Sequence, residues 1–67
     1  MTNRELIIRI DSTAASDGDA ALMVYRLGAS VVIVATEKEN GDAEVLLSKE
    51  QALAVSRALA ETARDID

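Results

Sequence analysis

The sequence predicts an α+β fold: a four-stranded antiparallel β-meander followed by one C-terminal helix packed on one sheet face, in the order ββββα. Three observations carry this expectation. Runs rich in β-branched residues recur between Glu5 and Leu47, broken by small polar residues and glycines. Asn40-Gly41 stands between two such runs, where a hairpin turn belongs. From Ser48 onward the apolar residues recur at helical rather than strand spacing.

Glu5–Asp11 (ELIIRID) reads as the first strand, and Ser12–Asp19 (STAASDGD), small and polar with one glycine, as a loop. Ala20–Leu27 (AALMVYRL) reads as the second strand, with a helix left open because Ala, Leu and Met favour one. The tight turn at Gly28-Ala29-Ser30 into an obvious third strand, Val31–Glu39, favours the hairpin. Asn and Gly both tolerate φ > 0, as a two-residue type I′ turn demands at both central positions. Such a turn at Asn40-Gly41 sets Glu39 opposite Asp42, Glu37 opposite Glu44, and Thr36 opposite Val45. It also sets Ala35 opposite Leu46 and Val34 opposite Leu47.

The fourth strand, Ala43–Leu47, runs straight into the helix. Ser48 followed by Gln51 is a capping box, in which the hydroxyl accepts from the N3 amide and the glutamine reaches back. Glu50 in the first turn suits the positive end of the helix dipole. Ala52, Val55, Leu59, Ala63 and Ile66 form an apolar stripe, widened by Leu53 and Ala60, while Arg57, Glu61, Arg64 and Asp65 lie opposite. Leu59 is therefore expected to be buried against the sheet.

In this register Val32, Val34, Val45 and Leu47 share one face, and Val31, Ile33, Ala35 and Leu46 share the other. Leu6 and Ile7 likewise point to opposite sides. An antiparallel sheet wetted on one side alternates polar and apolar residues, and these strands do not. One helix covers one face. The face of Val31, Ile33, Ala35 and Leu46 is expected to meet a partner protein or a second copy in a two-fold homodimer. The alternative is cover by the Ser12–Asp19 loop.

Composition narrows the chemistry. Sixty-seven residues make a single domain, 1–67, near the lower limit for folding without staples. With no cysteine and no histidine there is no disulfide, no thiolate, no soft metal ligand and no side chain that ordinarily titrates near neutrality. Hydrophobic residues at 49% place the chain outside the disordered class. The apolar runs are too short for a membrane span, and no signal peptide is read at the start, so a cytoplasmic protein is expected. A net charge of −5 and 1% aromatic content argue against a nucleic-acid groove, which needs cations and stacking rings.

The densest charge lies at the predicted hairpin tip, where Glu37, Glu39, Asp42 and Glu44 have only Lys38 to offset them. Like charges opposite one another cost stability, so the tip reads as an acidic lobe for a basic protein surface, or as a solvated tip that deters edge aggregation. The spacing does not supply the six or more oxygen ligands that hard cations take. Asp11, Asp17 and Asp19 around Gly18 lack the alternate-position acids of a calcium loop, since Thr13 and Ala15 intervene. No glycine motif cradles a phosphate, no ordinary triad forms without histidine, and no cofactor is expected. Tyr25 reads as a half-buried strand residue, and Arg9 and Arg26 as balanced by Asp11 or Glu5.

The strand–helix junction Val45-Leu46-Leu47-Ser48-Lys49-Glu50-Gln51, within the order ββββα, resembles the small transcriptional-coactivator fold that binds single-stranded DNA. In size, acidity and lack of catalytic residues the whole chain resembles the small phage-borne anti-defence proteins, anti-CRISPR inhibitors among them. That second resemblance implies a protein that occupies basic, nucleic-acid-binding surfaces of host proteins, in the cytoplasm of a bacterium. The expected function is a non-enzymatic, acidic protein-binding module; a coactivator-like module or a homodimeric assembly subunit is the alternative.

Overall fold

The computed structural model describes residues 3–66. Four strands, β1 (Glu5–Thr13), β2 (Asp19–Leu27), β3 (Ser30–Glu37) and β4 (Gly41–Leu47), precede one helix, α1 (Lys49–Arg64). The strands form one open sheet in the order β1-β2-β3-β4, every neighbouring pair antiparallel. The fold is thus the ββββα meander that the sequence predicts. Ala20–Leu27 is a strand throughout: flanked by β1 and β3, it gains backbone partners on both edges, and these outweigh the helix preference of its alanines and leucine.

Two glycines shape the turns. Leu27 pairs with Ser30 across Gly28-Ala29, with Gly28 at φ 61° and Ala29 at negative φ, the pattern of a type II′ turn. At the β3–β4 turn the structure departs from the expected register. Glu37 pairs with Gly41, and Lys38, Glu39 and Asn40 form the loop, closed by the Asn40 amide donating to the Glu37 carbonyl at 3.2 Å. Gly41 takes φ 84° but Asn40 stays at negative φ, so no type I′ turn forms. The physical reason is that one left-handed residue suffices for a longer loop, and a following glycine supplies it.

The earlier turn shifts β4 by three residues against β3, from Ala35 opposite Leu46 to Ala35 opposite Ala43, and an odd shift moves every β4 side chain to the other face. Thr36 faces Asp42, Ala35 faces Ala43, Val34 faces Glu44, Ile33 faces Val45, and Val32 faces Leu46. Leu46 therefore belongs with Val32 and Val34, not with Val31, Ile33 and Ala35 as expected. Val45 and Leu47 take its place on that side. No carboxylate stands directly opposite another across this hairpin: the Glu37/Glu44 and Glu39/Asp42 pairs do not form.

The two faces differ. One carries Ala21, Met23, Tyr25, Val32, Val34 and Leu46, and its Ala21, Val32 and Val34 are the buried apolar residues of the described chain. Arg4 lies over this face. Its guanidinium sits 5.1 Å from the Tyr25 ring centroid and donates to Glu44 Oε1 at 2.6 Å, bridging from the start of the β1 edge to the β4 edge. The other, open face carries Ile8 and Ile10, Leu22 and Val24, Val31, Ile33 and Ala35, Val45 and Leu47. Its polar residues lie only at the ends, with Glu5 paired to Arg26 at one and Ser12 and Glu37 at the other. An extra residue in β1, Ile7, makes a bulge between the Leu6–Tyr25 and Ile8–Val24 pairs.

The helix begins as expected. Gln51 N–H donates to Ser48 Oγ at 3.2 Å and Ser48 N–H donates to Gln51 Oε1 at 3.0 Å, completing the capping box. It packs by its start against β3 and β4, with Ala52 half-buried and a groove between Ala52–Leu53 and the sheet residues Val24 and Val31. So α1 lies on the face of Val31, Ile33 and Ala35 that was expected to be left for a partner, and covers only one end of it. Beyond Ala52 the helix is exposed along its length. Leu59, expected in the core, is 65% exposed, because the helix meets the sheet by its first turns and leaves the rest of its stripe uncovered.

Candidate functional site

In a four-stranded meander the β1–β2 and β3–β4 connections fall at the same end of the sheet, and the β2–β3 turn at the other. The connection Ala14–Gly18 is a tight loop in which Asp17 N–H donates to the Ala14 carbonyl at 2.8 Å and Ala14 N–H to the Gly18 carbonyl at 2.7 Å. Asp17 takes φ 74°, a conformation that Asp tolerates better than most residues. The two loops are tied together: Lys38 N–H donates to the Asp19 carbonyl at 3.1 Å, and Ser16 Oγ donates to Glu37 Oε1.

A shallow depression between them is lined by Asp17, Asp19, Glu37, Glu39 and Lys38 together with Ser16, Gly18 and Asn40. Of the four carboxylates expected in the lobe, Glu37 and Glu39 are in it. Asp42 stands beside it, across from Thr36 on the Arg4-covered face. Glu44 does not belong: it lies two residues further along β4 and is held by Arg4. Asp17 and Asp19 take its place. The sequence signal for them was the topology, since a meander brings the first and third loops together, whereas Asp17-Gly18-Asp19 was weighed only as a calcium loop.

All of these carboxylates are exposed or half-exposed. Among the described residues no three acidic side chains converge as a metal cage would require. The rim is therefore a charged surface, able to meet cations on another molecule. The depression is shallow and open, and within it Ser16 Oγ is held by the Glu37 carboxylate.

The arginines are accounted for elsewhere. Arg9 Nε donates to Asp11 Oδ1 at 3.1 Å on the Arg4-covered face, while Arg26 stands opposite Glu5 on the open face and donates to the Gly28 carbonyl at 3.4 Å. They point to opposite sides of the sheet and make no basic groove. Among the described residues no helix is long and apolar enough to cross a membrane. The chain matches no protein-family model, no curated protein and no solved structure.

Proposed function

We propose that this chain is a small, non-catalytic protein-binding module that docks on a basic surface of a partner protein through the acidic end of its sheet, in the manner of phage-borne inhibitors of host defence acting in the bacterial cytoplasm. The observation that carries the reading is the convergence of Asp17, Asp19, Glu37 and Glu39 on one rim with Lys38 as the sole cation. Complementary charge of this kind speeds encounter and fixes orientation. A coactivator-like role on single-stranded DNA shares the strand and helix order, but Arg4 and Arg9 are already paired with carboxylates and the chain holds one aromatic ring.

The test uses two defined probes, a lysine-rich peptide and a single-stranded oligonucleotide, with three forms of the protein. One is the parent. The second carries Asp17→Asn, Asp19→Asn, Glu37→Gln and Glu39→Gln. The third carries the same charge change elsewhere, as Glu5→Gln, Glu50→Gln, Glu61→Gln and Asp65→Asn. The rim variant is expected to lose peptide affinity by about tenfold or more, equivalent to about 1.4 kcal/mol, and the third form to lose little. Equal losses in both variants reduce the effect to net charge and overturn the reading. So does tighter binding to the oligonucleotide than to the peptide.

A further inference from the structure

The first turns of α1 reach the open face of the sheet beside Val24 and Val31; the rest of that face and the rest of the α1 stripe are two apolar surfaces without a partner in a single copy of the chain. On the sheet, Ile8, Ile10 and Val45 are each about half exposed; Leu53 and Leu59 on the helix, and Ile66 just past its end, are more than half exposed. We infer that a second copy of this chain covers them, in a two-fold pair in which the helix stripe of each copy lies on the open sheet face of the other. This rests on burial and is independent of the acidic rim.

The first argument is area. A folded monomer of 7.1 kDa is expected to expose about 4,100 Å². The chain exposes 5514 Å², an excess of about 1,400 Å² over that scaling. Covering the excess on two copies buries about 2,800 Å² in all, inside the range of obligate homodimers. Shape agrees: the radius of gyration is 13.2 Å, against about 11 Å for a compact domain of this length. Three buried residues, Ala21, Val32 and Val34, are a slender core for a chain without cysteine and hence without disulfides.

The second argument is fit. An isologous interface needs two mutually complementary surfaces on each copy, and here both are present and apolar. The stripe is lined by Ala52, Ala60 and Ala63 between its larger residues, so a helix can lie close to a sheet. The charged side of α1, with Arg57, Glu61 and Arg64, is left facing water. The acidic rim lies at the end of the sheet, away from the centre of the open face, so its charge does not oppose the pairing.

The experiment is sedimentation equilibrium with thermal melting of the full chain at two or more concentrations, on the parent and on Leu59→Asp, Val45→Asp and Arg57→Ala. The parent is expected at about twice 7.1 kDa, with a melting temperature that rises with concentration. Leu59→Asp and Val45→Asp, both substitutions at sites exposed in one copy, should each shift the mass toward one chain or abolish the cooperative melt; Arg57→Ala should do neither. A folded parent of single-chain mass with a concentration-independent melt overturns the inference. So does a dimer that both aspartate variants leave intact, which would place the contact on another surface. A parent that stays monomeric and melts without cooperativity overturns it too, and assigns the open face to a different protein.

Discussion

At the scale of single residues, Gly41 is the position where backbone geometry decides. Its φ of 84° is open to glycine and costly for any side chain, while space is not limiting, since a Cβ there meets nothing within 4 Å. Gly41→Val should therefore destabilise the fold by about 1–3 kcal/mol through backbone strain alone. Gly18→Ala, at a glycine without positive φ and with equally open surroundings, should cost much less. Urea melts of the two variants check the difference, and equal costs would show that crowding or lost flexibility, not φ, is at work. Arg4 is a second informative residue. Its side chain and that of Glu44 are 43% and 53% exposed, so the ion pair contributes little, and its cover over Tyr25 adds about as much again. Arg4→Ala should lower stability by about 1 kcal/mol, and added salt should narrow the gap by screening the ionic part.

At the scale of elements, the helix start is the most local of all features and was the most legible. Ser48 and Gln51 make both reciprocal bonds, so Ser48→Ala should remove about 1 kcal/mol and fray the first turn, read as a loss of helical circular dichroism. Strand identity was legible for the same reason: β-branched runs and glycine breaks act over a few residues. Register was not. Whether the chain turns at Asn40-Gly41 or at Lys38, Glu39 and Asn40 moves the pairing by three residues, an odd shift that reverses the facing of Leu46 and separates Glu44 from Glu37. The acidic end was half legible. Glu37 and Glu39 stood out by local density, whereas Asp17 and Asp19 join them only through the sheet order, which no short window contains. The helix stripe was legible as a stripe, but periodicity states that a face is apolar without naming what covers it.

At the scale of the whole molecule, charge and shape act on different parts of the sheet. The apolar surfaces lie at its middle and along α1, and the carboxylates gather at one end, so stability and recognition can be altered separately. Asp17, Asp19, Glu37 and Glu39 repel one another across two loops that backbone bonds hold together, notably Lys38 N–H to the Asp19 carbonyl. Neutralising them leaves those backbone bonds in place, and a Gln at position 37 can still accept from Ser16 Oγ. Four fewer carboxylates take the net charge from −5 to −1. The Asp17→Asn, Asp19→Asn, Glu37→Gln, Glu39→Gln variant should accordingly melt at or above the parent temperature in low salt. Because the parent's repulsion is screened over about 10 Å at 0.1 M salt and about 3 Å at 1 M, the two melting curves should converge as salt is added. A variant that melts lower at every salt concentration would mean that these carboxylates hold the loops together, and that the end of the sheet is built for stability and not for contact.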